Sequence, residues 1–113
     1  MSIGEYLKSV FSLEGKTILI SGATGGIGSA ISRGLAAAGA EAALCARNQQ
    51  KCRELADEIS AHGGAATAHA LDISDLDSIH RCVDEVMQRY GKIDVLFNVA
   101  GINRREGLLD VEP

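Results

Sequence analysis

Apolar residues cluster in four short runs along the chain, and each run is bounded by glycine or polar residues. The runs predict strands at residues 17–21, 42–46 and 65–71, and a fourth strand that begins at residue 93. A run that is apolar throughout, rather than alternating, is typical of a strand buried on both faces of a parallel sheet.

Between the runs, apolar residues recur at the spacing of a helix, which predicts three helices that each bury one face. The predicted faces are, in chain order, Ile27, Ile31, Leu35 and Ala38; Leu55, Ala56 and Ile59; and Leu76, Ile79, Val83, Val86 and Tyr90. Asn48 and Ser74 are the predicted starts of the second and third helices, since short polar side chains cap helix N-termini. Gly39 and Gly91 are expected to end the first and third helices.

The order β-α-β-α-β-α-β with short links predicts an α/β fold, a Rossmann-like doubly wound parallel sheet with strand order 3-2-1-4. Residues 15–113 form this predicted dinucleotide-binding half-domain. Residues 1–14 are predicted to be a leader that forms a short helix lying against the domain through Tyr6, Leu7, Val10 and Phe11.

The glycine-rich segment between the first strand and the first helix is the strongest candidate for chemistry. In this position a tight turn presents the free N–H groups of a helix N-terminus, whose dipole favours a phosphate. The spacing of Gly22, Gly26 and Gly28 is G-x-x-x-G-x-G, while Gly22, Gly25 and Gly28 also fit G-x-x-G-x-x-G. Spacing alone leaves both patterns open, and a plain tight turn is the structural alternative.

The residues that follow the second strand bear on the choice of nucleotide. Proteins that hold the ribose hydroxyls of NAD place a carboxylate near this point, but here the chain reads Ala46-Arg47-Asn48. A guanidinium matches a phosphate with a planar fork of donors. We therefore expect NADP(H) to be preferred and NAD(H) to be possible, with an ordinary surface arginine as the alternative.

Two further strand ends are expected at the same edge of the sheet. Asp72 follows the third strand and is placed to accept a bond from an adenine amino group, with Ile73 against the ring. The alternative is that Asp72 shapes the turn before Ser74. Asn98 at the end of the fourth strand is expected to bond across to a neighbouring strand. This structural role is compatible with a second one, in which the chain at this point passes close to a cofactor.

Composition narrows the class of protein. The chain has 113 residues, 46% of them hydrophobic, and a net charge of −4 with no basic cluster, so neither nucleic acid nor an anionic membrane is an expected partner. No apolar stretch predicts a membrane span, and a cytoplasmic location is the default expectation. Cys45, Cys52 and Cys82 are widely spaced and predict small buried thiols rather than a metal or redox pair. The histidines at 62, 69 and 80 are expected at the surface or at helix ends.

Taken together and in this order, these segments resemble the short-chain dehydrogenase/reductase family, over nearly the whole chain. Residues 21–28 are similar to its T-G-x-x-x-G-I-G turn, Asp72-Ile73 to its adenine-contacting pair, and residues 98–101 to its N-N-A-G motif. The last motif favours the standard-length branch and hence the first glycine spacing. The residues assigned to the cofactor are Gly22, Thr24, Gly25, Gly26, Ile27, Gly28, Arg47, Asn48, Asp72, Ile73, Asn98, Ala100 and Gly101.

The resemblance implies hydride transfer between a nicotinamide and an alcohol or carbonyl carbon, with a small molecule as substrate. Residues 13–17 and 101–106 are similar to members acting on sugar acids, such as gluconate and deoxygluconate dehydrogenases, and the fatty-acid-chain ketoreductases are nearly as similar. A non-catalytic NAD(P)-binding module, acting as a sensor or scaffold, is the alternative function.

The family's catalytic Tyr-x-x-x-Lys has no counterpart here, because Val10 and Asp94 stand four residues beyond the two tyrosines, Tyr6 and Tyr90. We therefore expect the cofactor-binding half of an oxidoreductase, inactive alone. The fourth strand would then offer an open edge, and self-association or pairing with the missing C-terminal half is the expected partnership.

Overall fold

The computed structural model describes residues 2–99. In chain order the elements are α1 (Ile3–Phe11), β1 (Thr17–Ser21), α2 (Gly26–Ala37), β2 (Glu41–Ala46), α3 (Gln49–Ala61), β3 (Ala65–Ala70), α4 (Leu76–Tyr90) and β4 (Val95–Asn98). The strands form one parallel sheet in the order β3-β2-β1-β4, so the predicted fold class and strand order are confirmed.

Helices cover both faces of this sheet, and each face has its own apolar core. On one face, Ile18, Ile20 and Leu44 pack with α2 and α3. On the other face, Leu19, Ala43 and Cys45 pack with side chains of α4. Because consecutive residues of β1 and β2 point to opposite faces, the middle of both central strands is apolar on both sides, with the buried polar residues Thr17 and Ser21 at the two ends of β1.

The buried face of α2 differs from the predicted one. Its buried residues are Gly28, Ser32 and Ala36, whereas Ile27 at the start of the helix is 72% exposed. The row of small residues faces the sheet, and the hydroxyl of Ser32 is satisfied by donating to the Gly28 carbonyl oxygen at 2.7 Å. A row of small side chains brings the helix close to β1, which a row of large apolar residues would prevent.

The buried face of α4 was also predicted only in part. Ser78, Cys82 and Val86 are its buried residues, while Leu76 and Val83 are exposed. The hydroxyl of Ser78 accepts a bond from the Asp72 N–H at 2.9 Å, which lets a polar residue lie against the sheet. The face of α3 agrees with the prediction, since Leu55, Ala56 and Ile59 are all buried.

Helix caps follow the sequence at most positions. The Asn48 side chain accepts from the Lys51 N–H, and Gly91 ends α4 with a positive φ of 78°, as predicted. The predicted cap Ser74 is wrong, because Asp75 accepts from the Asp77 and Ser78 N–H groups at the start of α4. Ser74 instead donates twice to the carboxylate of Asp72.

The cysteines are placed as predicted, whereas the histidines and the leader differ in part from the prediction. The three cysteines are buried and free, as predicted. His62 and His80 are exposed, but the surface placement of His69 is wrong, since it is 4% exposed on β3 between Thr67 and Glu85. The predicted leader contains a helix, α1, but Tyr6 and Val10, which were predicted to pack against the domain, are largely exposed on it, and the side chains of Leu7 and Phe11 lie outside what the structure describes.

Candidate functional site

The glycine turn joins β1 to α2 and contains four glycines with different local needs. Gly22 has a φ of 68°, a left-handed conformation that favours glycine, and its carbonyl oxygen accepts from the Gly25 N–H at 3.3 Å. A Cβ on Gly28 would lie 1.9 Å from that same carbonyl oxygen. The fold therefore requires glycine at both 22 and 28, the two positions common to both spacings left open by the sequence.

Gly25 and Gly26 differ from Gly22 and Gly28, because the surrounding residues leave room for a side chain at both positions. A Cβ on Gly25 would make only an ordinary contact, 3.7 Å from the Gly22 oxygen, and a Cβ on Gly26 would meet no described atom within 4 Å. Neither residue has a positive φ. Packing among the described residues therefore does not explain glycine at these two positions.

The N-terminus of α2 is also capped differently from those of α3 and α4. Asn48 and Asp75 cap the two later helices through their side chains, whereas the N-cap of α2, Gly25, provides no side-chain hydrogen bond. The first turn of α2 carries no acidic residue. A helix start with neither a side-chain cap nor a nearby carboxylate has backbone donors and a positive dipole end available to an anion.

Arg47 and Asp72 are brought together beyond the ends of β2 and β3. The Arg47 Nε lies 3.5 Å from the Asp72 Oδ1, although the Arg47 side chain is 73% exposed. Hydrogen bonds from the Ser74 hydroxyl and N–H, with a smaller contribution from Arg47, hold the pKa of the Asp72 carboxyl below its ordinary value. The expected turn-shaping role of Asp72 is thus present, and the site contains a fixed carboxylate beside an arginine.

Asn98 and Ser21 form the second contact at this edge. The two residues are paired in the parallel register of β1 and β4, and the Ser21 hydroxyl donates to the Asn98 Oδ1 at 2.7 Å. The expected bond from Asn98 to a neighbouring strand is therefore confirmed. Ser21 directly precedes Gly22, so the pair lies at the start of the glycine turn. The turn is also tied to β2, because the Ala23 N–H donates to the Cys45 carbonyl oxygen at 3.2 Å.

The remaining predicted residues are placed as follows. Ile27 and Ile73 are exposed apolar side chains, at 72% and 47%, next to the turn and to Asp72 respectively. The Asn48 carboxamide oxygen caps α3. Ala100 and Gly101, and the segment 102–106 that resembles sugar-acid enzymes, lie outside the described residues.

Sequence reasoning missed two features near the turn. The partner of Asn98, Ser21, could have been found from strand register, since both residues end adjacent parallel strands. A groove of about 360 Å³ between α2 and α3 reaches the turn at Thr24 and contains Arg33 and Lys51. Its charges are largely balanced within the protein, because Arg33 pairs with Glu58 at 2.5 Å.

Neither of the two tyrosines is arranged as a general acid or base. Tyr90 lies against β3, where its hydroxyl and the Thr67 hydroxyl are 2.6 Å apart. Burial is the main cause that raises the pKa of Tyr90 above its ordinary value, whereas a tyrosine that accepts protons near neutral pH needs a lowered pKa. Tyr6 is exposed on α1.

Membrane-spanning helices and clusters of metal ligands are both absent from residues 2–99. No described helix is long and apolar enough to cross a membrane. No group of three or more potential metal ligands occurs within the same residues.

The sheet order and the turn after β1 define a Rossmann-like α/β protein of the doubly wound class. Residues 16–113 match the family model described as short chain dehydrogenase. The chain belongs to this family.

Relatives with assigned names agree with the family match. A short chain dehydrogenase of Pseudocercospora fijiensis is 43% identical over 98 residues, which make up 87% of this chain and 32% of the relative. A sorbitol dehydrogenase of Cereibacter sphaeroides is 44% identical over 90 residues, 80% of this chain and 34% of the relative. The chain thus spans about a third of the length of the curated relatives it matches.

Solved structures are similar over the same region. A metagenomic short-chain oxidoreductase in complex with NADP is 40% identical, with a TM-score of 0.78 over 89% of this chain and 46% of that chain. A protein from Haemophilus influenza, proposed to be a D-mannonate oxidoreductase and solved with bound NAD, is 31% identical, with a TM-score of 0.80 over 88% and 35%. The 2-keto-3-deoxy-D-gluconate dehydrogenase from Streptococcus agalactiae is 37% identical, with a TM-score of 0.78 over 96% and 41%.

Proposed function

We propose that this chain is the cofactor-binding half of an NADP(H)-dependent oxidoreductase that interconverts an alcohol and a carbonyl by hydride transfer. The observation that carries the proposal is the pair Gly25 and Gly26, where the protein leaves space that its own packing does not need. This space lies at a helix N-terminus without a side-chain cap. A cofactor pyrophosphate fits both facts, since it needs close approach to the backbone and accepts from free N–H groups.

The exposed apolar side chains beside the turn support the same ligand. Ile27 is the second residue of α2, and Ile73 follows Asp72 beyond the end of β3. Both are large hydrophobic residues with much of their surface exposed. A bound adenine nucleotide would cover part of this surface, and the ionised Asp72 would accept from the adenine amino group.

Arg47 favours NADP over NAD in this proposal. A carboxylate that would hold the ribose hydroxyls is replaced by Ala46, and a 2′-phosphate would instead face a guanidinium. The ion pair with Asp72 uses the Nε of Arg47, so the two terminal nitrogens are left for a phosphate. The NADP complex of the metagenomic relative supports this choice, while the NAD complex of the Haemophilus protein keeps NAD as the second cofactor.

Because the chain spans about a third of its curated relatives, the reacting groups are proposed to lie outside the residues that it shares with them. The bound nicotinamide would supply or accept the hydride, and the residues described here would hold and orient the nucleotide. Turnover by these residues alone is not expected, because neither Tyr6 nor Tyr90 has a lysine four residues later. Substrates related to sugar alcohols or sugar acids are proposed from the sorbitol and deoxygluconate dehydrogenases among the similar proteins.

The partner of this half is proposed to be the rest of the sheet or, without it, a second copy. Val95, Leu96 and Phe97 are exposed on β4, which is the edge strand beside β1. An exposed apolar edge strand offers unpaired backbone groups to another strand.

Calorimetric titration of the 113-residue chain with NADPH and NADH tests the proposal through Arg47. Arg47→Gln should weaken NADPH binding about tenfold or more and leave NADH binding nearly unchanged, since a charge-assisted pair to phosphate contributes about 1.5–3 kcal/mol. Arg53→Gln, at an exposed position on α3, is the matched control and should change neither affinity.

Two results would contradict the assignment. Tight binding of NADH with no binding of NADPH would contradict the proposal that Arg47 binds the 2′-phosphate. Equal loss of both nucleotides in the Arg47 variant would mean that the arginine supports the fold of the site rather than the 2′-phosphate.

A further inference from the structure

Two cysteines that are far apart in sequence meet in the core between the sheet and α4. The Sγ atoms of Cys45 and Cys82 are 3.5 Å apart, and the residues are separated by 37 positions. Cys45 lies near the end of β2 and Cys82 in the middle of α4. Sequence spacing gave no sign of this pair, because only the packing of α4 on the sheet brings the two thiols together.

The surroundings of the pair are apolar and closed. Cys45 and Cys82 are 0% and 2% exposed, and they pack with Leu19, Leu71 and Val86. The third cysteine, Cys52, belongs to the core on the opposite face of the sheet, where its thiol donates to the Leu44 carbonyl oxygen at 3.3 Å. The chain therefore contains one close pair of thiols and one separate thiol in a comparable buried setting.

We propose that Cys45 and Cys82 are a redox modification site that forms a reversible intramolecular disulfide when a peroxide oxidises the protein. The sulfur atoms must approach each other by about 1.5 Å more, since an S–S bond is about 2.05 Å long. Side-chain rotation and a small shift of α4 are the movements that would close this gap. The bond would fix α4 to β2.

The reaction balances with a peroxide as the only co-reactant. The Cys82 thiol loses its proton, the thiolate attacks one peroxide oxygen, the O–O bond breaks, and a sulfenic acid forms while the leaving hydroxide takes up that proton and departs as water. The Cys45 sulfur then attacks the sulfenic sulfur, and the S–O bond breaks with release of a second water. The two thiols together lose two electrons and two protons, and the peroxide is reduced to two waters.

The two thiols differ in a way that fits this order of attack. The hydrogen bond with Cys45 lowers the pKa of the Cys82 thiol, whereas the hydrogen bond with Cys82, followed by burial, raises the pKa of Cys45. The thiolate is the reactive form, so Cys82 is the first to react. Because both thiols are buried, the oxidant reaches them only when α4 separates transiently from the sheet.

The bond would lie directly beneath the candidate cofactor site. The Cys45 carbonyl oxygen accepts the Ala23 N–H of the glycine turn, and Arg47 follows two residues later. A covalent tie at Cys45 would therefore connect α4 to the strand end that positions both the turn and the arginine.

Peptide mapping of the 113-residue chain after treatment with hydrogen peroxide and alkylation of the remaining thiols tests the proposal directly. We expect a monomeric chain lighter by two hydrogens, a peptide pair joined through Cys45 and Cys82, and Cys52 alkylated. The melting temperature should rise by about 5 °C or more on oxidation and return after reduction, because a cross-link restricts the unfolded chain.

Alanine variants provide matched controls. Cys52→Ala should still form the bond, whereas Cys45→Ala and Cys82→Ala should not. If both Cys45→Ala and Cys82→Ala fail to fold, the peptide map of the peroxide-treated wild-type chain still shows whether the bond forms. Bonds between chains, a bond that includes Cys52, or three thiols that remain free under native conditions would each overturn the proposal.

Discussion

The centre of the sheet and its β4 edge differ in how much of their apolar side-chain surface is buried. β1 and β2 have a strand on each side, and their core side chains, such as Ile20 and Leu44, are 0% exposed. On β4, Val95, Leu96 and Phe97 are 40%, 65% and 38% exposed. On α4, the helix that precedes β4 in the chain, Leu76, Val83 and Met87 are also exposed.

The first region shows which side chains the fold itself packs closely, and the second shows an apolar surface that the described residues leave exposed. In the central region the glycine turn, the small face of α2 and the strand cores fit each other closely, but within the turn Gly25 and Gly26 have room for a side chain. In the β4 region, Val95, Leu96 and Phe97 each leave between 38% and 65% of their surface exposed among the described residues. We propose that a ligand occupies the space at Gly25 and Gly26 and, since the chain spans about a third of its curated relatives, that further polypeptide covers the β4 edge.

The largest expected effect comes from Gly28→Ala. Its Cβ would lie 1.9 Å from a backbone oxygen of Gly22, which cannot move without opening the turn. We expect a loss of at least about 3 kcal/mol of unfolding free energy, or no cooperative unfolding at all, measured by thermal or urea denaturation. Gly26→Ala is the matched control within the same turn and should unfold at or slightly above the wild-type temperature. Equal effects of the two substitutions would contradict the division of the glycines.

A second pair of substitutions compares the two regions directly. Leu19→Ala, in the buried core of β1, should cost about 2–5 kcal/mol of unfolding free energy. Leu96→Lys, on exposed β4, should change it by less than about 1 kcal/mol in dilute solution and should reduce self-association. Denaturation and light scattering measure the two effects. A wild-type chain that is monomeric at all concentrations would remove the proposed role of the β4 edge.

A smaller loss of unfolding free energy is expected from a substitution of Asp94, the residue just before β4. The Asp94 carboxylate accepts the Thr17 N–H at 2.8 Å and pairs with Lys92 at 3.0 Å. The Thr17 bond first, and Lys92 second, lower the pKa of Asp94 below its ordinary value. A lowered folded-state pKa contributes stability that is present above the unfolded-state pKa and is lost as pH falls through the folded-state pKa.

Asp94→Asn should therefore be less stable than wild type near pH 7, and the difference should shrink below about pH 4. Denaturation across pH 2–7 measures it, with Asp84→Asn on the exposed face of α4 as the control. A difference that is constant over this range would show that the charge of Asp94 does not contribute.

The order of the elements was predictable because it depends on local pattern. Uninterrupted apolar runs gave β1 to β3 within one residue at each end, and Gly91 and Asn48 set helix boundaries through their own conformations or side chains. The sheet order followed from the short links between alternating strands and helices, which favour the doubly wound arrangement with right-handed crossovers.

Features that depend on distances between elements were not predictable. Large apolar residues predicted the face of α2 only in part: Leu35 packs partly buried against the core, but the close approach of Gly28 to Gly22 places small residues against the sheet. The ion pair of Arg47 with Asp72, the bond of Ser21 to Asn98, and the burial of His69 each join residues of different elements. Periodicity within one element carries no information about such pairs.

The most direct test of the central claim is calorimetric titration of NADPH into wild type and Gly26→Ala, together with their melting curves. The account predicts that the variant melts no lower than wild type but binds NADPH and NADH at least about tenfold more weakly, because the added methyl group fills space kept for phosphate. Unchanged affinity for both nucleotides in the folded variant would contradict the claim that this turn is a phosphate site.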